Sequence, residues 1–163
     1  MDWSSFVPTL LATLAGAAVG VAGVYLAFRW ESTAKYEAKL DDAFADVIRE
    51  FARRNEDLHS WMNQGGAGEV LSPPPDLALV SAIEVVEMLA RGNDVPFAKD
   101  LAFTYYAIKN ADPRRQPGAN GIVAGTVGRW RSGAWSLEKA RESLDAAKNL
   151  ARRPVANQGD GTS

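Results

Sequence analysis

The residues of this chain best suited to recognition chemistry stand close together in one stretch, GRWRSGAW, residues 128–135. Arg129 and Arg131 bracket Trp130, and Trp135 follows closely. Tryptophan and arginine dominate binding hot spots, and tryptophan also suits membrane interfaces. Arg129, Trp130, Arg131 and Trp135 are therefore the expected contact for a protein partner or for lipid. The competing account is that both tryptophans anchor the turn between two helices. Stacking on single-stranded nucleic acid would need a basic groove. The net charge of −2 supplies no general drive in that direction, so no nucleic-acid partner is expected.

Other candidates for chemistry fall away on spacing. His59 is the single histidine, near Glu56 and Asp57, and the chain has no cysteine. One histidine makes no zinc site, and no Ser-His-Asp spacing accompanies it. Glu84 and Glu87 stand three apart on one helix face. A di-metal bundle would also need Glu-x-x-His motifs on other helices, and these are missing. Both are expected on a solvated helix surface, as are Asp41, Asp42 and Asp46. Gly118, Gly121, Gly125 and Gly128 invite a phosphate-loop reading. No Gly-Lys pair followed by Ser or Thr occurs, nor a preceding strand. Close helix packing through Gly121, Gly125 and Gly128 is the expected account. The reading is a non-enzyme, with no catalytic, cofactor or metal residues and no small-molecule substrate identified.

The elements that position these residues begin with an uncharged run. No charged side chain occurs between Asp2 and Arg29. Its apolar part, FVPTLLATLAGAAVGVAGVYLAF, covers residues 6–28. At about 1.5 Å per residue this makes a helix of roughly 34 Å, enough to span a hydrocarbon core of about 30 Å. Trp3 and Trp30 flank it at interfacial positions. Pro8 stands in the first turn, where its missing N–H costs little. A cleavable signal would want Lys or Arg before a shorter apolar run. The sequence therefore predicts a retained membrane span. Arg29, Lys35 and Lys39 follow the span and no basic side chain precedes it. Basic residues favour the cytoplasmic side, which places the N-terminus outside and the rest of the chain in the cytoplasm.

Within the span, Thr9, Thr13, Gly16, Gly20, Gly23 and Ala27 recur at spacings of four and three. This is a continuous stripe of small residues on one face. Such stripes let helix backbones approach closely, and threonines can hydrogen-bond across the contact. The expectation is a homo-oligomer, or pairing with a partner membrane protein.

Helical periodicity continues beyond the span. Leu40, Phe44, Val47, Phe51, Leu58 and Trp61 share one face, Ile48 widens it and Arg54 interrupts it. Two readings stay open: a helix that packs on its own domain, or a parallel coiled-coil neck. Glycines 65, 66 and 68 and prolines 73–75 then predict a loop. Asp76 is placed to cap a helix over about 77–91, expected to be the best-buried of all, with Leu79, Val80, Ile83, Val86 and Leu89 or Ala90 inward. RGND makes a turn. A helix from about Pro96 or Phe97 to Asn110 turns Leu101, Tyr105 and Ile108 inward. ADPRRQPGANG reads as a second loop, followed by a short helix over about 122–131. Ser136 is the expected N-cap of a last helix ending near Arg152, with Glu138 in its first turn.

The fold class is thus all-α: one N-terminal transmembrane helix continuing into a small cytoplasmic bundle, about five helices in all. Residues 1–5 form a short extracytoplasmic N-terminus, 6–28 the span, 29–153 the helical domain, and 154–163 a disordered tail. Charge is uneven. Residues 29–113 carry nine basic and fifteen acidic side chains, and residues 114–163 carry nine and four. Either the basic helices pack beside the acidic ones, or a basic surface leans on anionic lipid. Functionally, the layout suggests a membrane-anchored interaction or scaffold module. The alternative is a membrane-permeabilising, holin-like or channel-forming oligomer, which a folded region of this size argues against.

Overall fold

A computed structural model describes the backbone of residues 3–66 and 72–153, with side chains over 30–64 and 72–153. Among these residues the fold is all-helical. Helix α1 is Trp3–Trp61, followed by a π-helical turn at Met62–Gly66. Then come α2 (Leu77–Leu89), α3 (Asp94–Lys109), α4 (Gln116–Arg131) and α5 (Leu137–Arg152). The chain divides into two compact units, Met1–Lys39 and Leu40–Ser163.

In the first unit, among the side chains described, Trp30 is exposed and Lys35 pairs with Glu31 one turn back at 2.7 Å. The expected span at 6–28 and the whole stripe from Thr9 to Ala27 lie outside the described side chains. Among the described side chains, no helix is long and apolar enough to cross a membrane. The expected tail, 154–163, also lies outside the described residues.

The second unit is built on the apolar face of α1. Leu40, Phe44, Val47, Phe51 and Leu58 are all buried. Phe44 meets Phe97 with ring centroids at 5.9 Å, and Phe51 meets Tyr105 edge-on at 5.9 Å. This decides between the two readings of α1. Its apolar face from Leu40 to Leu58 is spent inside its own bundle, so it is no coiled-coil neck. Arg54, which broke the apolar pattern, is buried too, at 7% exposure.

Helix α3 turns Leu101, Tyr105 and Ile108 inward as expected, and Phe97 and Ala98 with them. It starts at Asp94, ahead of the expected start at Pro96 or Phe97. Gly92, at φ +53°, makes the turn before it, in a backbone region costly for other residues. Helix α5 matches its expected bounds. The backbone N–H of Lys139 donates to the Ser136 hydroxyl at 3.2 Å, forming the N-cap, and Leu144 and Ala147 are buried.

Three expectations need correction. Helix α4 begins at Gln116, six residues before the expected start. Pro117 sits at its first positions, where a proline is tolerated. The inward residues of its first turns include polar Gln116 and Asn120, which is why the segment resembles a loop. Close packing through the α4 glycines is also overturned at two positions. A Cβ built on Gly121 or Gly125 would meet nothing within 4 Å, while one on Gly128 would touch Ile48 at 3.8 Å. Finally, α2 is not the best-buried helix. Only Leu79, Ile83 and Val86 of its thirteen residues are buried; Val80 and Leu89 are half-buried. Leu77, Val85 and Met88 are 76%, 43% and 85% exposed.

Candidate functional site

The four residues of the Trp–Arg stretch do not gather into one exposed patch. The Trp130 indole stacks on Phe97, with centroids 3.9 Å apart and planes 14° off parallel. It also meets Phe44 edge-on, with ring centroids at 5.5 Å. Arg131 bonds the Asp41 carboxylate on α1 and lies 3.6 Å from that of Asp94 on α3. Arg129, which is exposed, covers the Trp135 ring at 4.8 Å. The Trp135 backbone N–H donates to the Arg129 carbonyl at 3.2 Å, and Gly133, at φ +74°, turns the chain between them. Trp130 and Arg131 thus tie α4 to α1 and α3, while Arg129 and Trp135 brace the α4–α5 turn.

The charge split follows the same logic. Arg131 on α4 meets acidic groups of α1 and α3, and Arg141 on α5 bonds Asp100 on α3 at 2.6 Å. The basic C-terminal helices are packed beside the acidic ones. His59, Glu84 and Glu87 are exposed. Among the described residues, no group of three or more His, Cys, Asp or Glu side chains could hold a metal ion.

Sequence reasoning missed a polar cluster that joins α1, α2, α3 and α4. Asp76 precedes α2, but its carboxylate makes no cap bond. It accepts instead from the Tyr105 hydroxyl and from Lys109 Nζ at 3.0 Å. Two charge-assisted bonds from α3 thus replace one local cap bond. Burial pushes the Asp76 carboxyl up, but the Tyr105 and Lys109 donors outweigh it and hold it below the ordinary aspartate range. Burial, and then the Asp76 carboxylate, push the Tyr105 hydroxyl far above the ordinary phenol range. The pair therefore stays as carboxylate and neutral phenol around neutral pH. A general acid or base works best with a pKa near the working pH, and neither group has one.

Beside this cluster, Arg54 donates to the Pro74 carbonyl and, at 3.4 Å, to the Gln116 side-chain oxygen. Gln116 Nε2 lies within hydrogen-bonding distance of the Lys109 and Ala111 carbonyls, at 3.1 and 3.2 Å. Asn120 donates to Asn55 at 3.1 Å, and Asn55 to the Pro117 carbonyl at 3.2 Å. Buried polar groups need such partners. This network closes the proline segment and the α3–α4 corner onto α1, which is a structural task.

Among the described residues, two surface depressions are large enough to accept another molecule. One, of about 490 Å³, lies at the ends of α3 and α5 and is lined by Asn110, Asp112, Arg152 and Arg153, with Ala107, Ala111 and Ala151. The other, of about 340 Å³, runs between α1 and α2. Ala43, Ala78, Ser81, Ala82 and Val85 line it, with Asp46, Arg49 and Glu50. The exposed apolar face of α2 adjoins this second groove.

No protein-family model, curated protein or solved structure matches this chain.

Proposed function

We propose that this chain is a single-pass, membrane-anchored helical module that works by binding and not by catalysis. The observation that carries the reading is the run of 26 residues between Asp2 and Arg29 without a charged side chain. The span occupies residues 6–28, its N-terminus outside and its bundle on the cytoplasmic face. The small stripe from Thr9 to Ala27 supports self-association in the membrane. The locked protonation states of Asp76 and Tyr105 support a binding role over acid–base chemistry. So does the open apolar face of α2, since exposed apolar patches mark interaction sites.

Two measurements test this. Expressed protein should sediment with membranes and resist alkaline carbonate extraction; release by carbonate overturns the anchor. The Gly16→Ile, Gly20→Ile double variant should lower the dimer fraction in a membrane two-hybrid assay. An unchanged dimer fraction overturns self-association through the span.

A further inference from the structure

We infer that the outer face of α2, with the groove beside it, receives a basic amphipathic helix from a partner polypeptide. The inference deepens the interaction-module reading and rests on it, but it does not depend on the membrane span. The face carries Leu77, Val85 and Met88, 76%, 43% and 85% exposed. Leu77 and Met88, about three turns apart, return to one side of the helix, Val85 stands three residues before Met88, and Ser81 and Glu84 lie between Leu77 and Met88. The groove next to this face is floored by the small side chains Ala43, Ala78 and Ala82. A small floor permits close approach of a second helix, whose apolar residues would lie along the face in the helix-in-groove manner.

Charge identifies the occupant. Helix α2 contains no Lys, Arg or His. Glu84, between Leu77 and Met88 on that side, and Glu87, next to it, are exposed. Among the described residues neither is held by an ion pair or hydrogen bond. The cation at the groove, Arg49, is already paired with Asp46 at 2.6 Å. The face therefore presents apolar area together with uncompensated carboxylates, which complement Lys or Arg on a partner. A second copy docking by the same face would bring the carboxylates of both copies together, since a two-fold contact is self-complementary. An anionic lipid surface would repel them, and interfacial helices carry basic polar faces.

The test uses the full chain in zwitterionic lipid nanodiscs, with empty nanodiscs as the blank. The probes are two fluorescent helical peptides of about 18 residues, five turns, with one leucine face. One carries Lys on its polar face and the other Glu. Fluorescence anisotropy should show the Lys peptide binding at least about tenfold more tightly, the equivalent of roughly 1.4 kcal/mol. Leu77→Ser with Met88→Ser should weaken it by a similar factor, roughly one charge-neutral anchor's worth of contact. Glu84→Lys with Glu87→Lys should turn the preference toward the Glu peptide. All four positions are exposed, and thermal melts check that the variants fold. Arg129→Ala on α4 should change nothing. Equal binding of the two peptides overturns the inference, as does Lys-peptide binding indifferent to the α2 variants. So does loss of wild-type dimer in the α2 variants, which would make the occupant a second copy. So does docking of wild-type protein onto anionic vesicles that the α2 variants abolish. Incorporation into nanodiscs is scored separately: its failure removes the membrane anchor, whereas peptide failure with normal incorporation removes this inference alone.

Discussion

Replacing Gly121 and Gly125 by alanine should stabilise the protein. Both lie inside α4, where glycine costs about 0.8–1 kcal/mol relative to alanine. Neither has a positive φ, so alanine fits the backbone. A Cβ at either position meets nothing within 4 Å, so no clash offsets the gain. The two changes stand one turn apart and share no partner. As neighbours one turn apart they can couple, so together they should contribute at most about 1.5–2 kcal/mol. For a domain of this size that is roughly 6–8 °C in Tm, at about 4 °C per kcal/mol. The assay is a thermal melt followed by far-UV circular dichroism, one variant at a time and then combined. Gly133→Ala supplies the contrast. It carries φ +74° at the α4–α5 turn, so the same added methyl should cost about 1 kcal/mol. A lower Tm for Gly121→Ala or Gly125→Ala would refute the reasoning. It would mean that the outer face of α4 is covered in the working protein, by a second copy or another partner.

Two further outcomes follow from the packing and the polar cluster. Trp130→Ala should cost about 3 kcal/mol, because its ring is stacked on Phe97 and abuts Phe44, while Arg129→Ala should stay within about 0.5 kcal/mol. Equal melts for the two variants would return Trp130 to the surface. The Asp76–Tyr105 pair makes stability depend on pH at both ends. The Asp76 pKa is lowered on folding, so its contribution is present above the ordinary aspartate range, about 3.9, and is lost as pH falls below it. The Tyr105 pKa is raised, so its contribution is present below the ordinary phenol value, about 10, and is lost as pH rises above it. Tyr105→Phe should cost about 2 kcal/mol at neutral pH, the worth of a hydrogen bond to a charged group. It should also flatten the alkaline loss, and Asp76→Asn should flatten the acid loss. Urea titrations across pH check both, and unchanged slopes would remove the pair from the stability account.

What was legible in the sequence was local. The buried face of α1 from Leu40 to Leu58, the inward set of α3 and the Ser136 cap each depend on residues three or four apart. What was not legible depends on partners far along the chain. Asp76 finds Tyr105 and Lys109, and Arg54 finds Gln116, only after the helices pack, so Asp76 reads as a cap and Arg54 as an interruption. Trp130 reads equally as a partner contact or as an anchor between helices, and only its packing on Phe97 and Phe44 decides for the anchor. Pro117 and Gly118 read as loop because the polar inward side chains of α4 hide its periodicity. The expected span at 6–28 shows the same division from the other side. Its uncharged length is read directly from the residues, whereas what its small stripe touches depends on another helix.

The error at α2 bears most on function. A run as apolar as LALVSAIEVVEML is expected at the centre of a bundle, because composition measures what a helix would gain by burial and not whether neighbours are there to provide it. Here the inward side is supplied by Leu79, Ile83 and Val86, and Asp76 fastens the start of the helix to α3 through Tyr105 and Lys109. Gly92 turns the chain back directly after it. With both ends tethered, α2 cannot roll to bury Leu77 or Met88 without exposing the residues that now pack. The bundle thus holds an apolar face open, at a free-energy cost that polar residues at positions 77, 85 and 88 would remove. Exchanging all three for Gln separates two explanations. If the face serves only folding, the variant should lose stability; if it serves contact, it should fold at least as well and lose the partner helix.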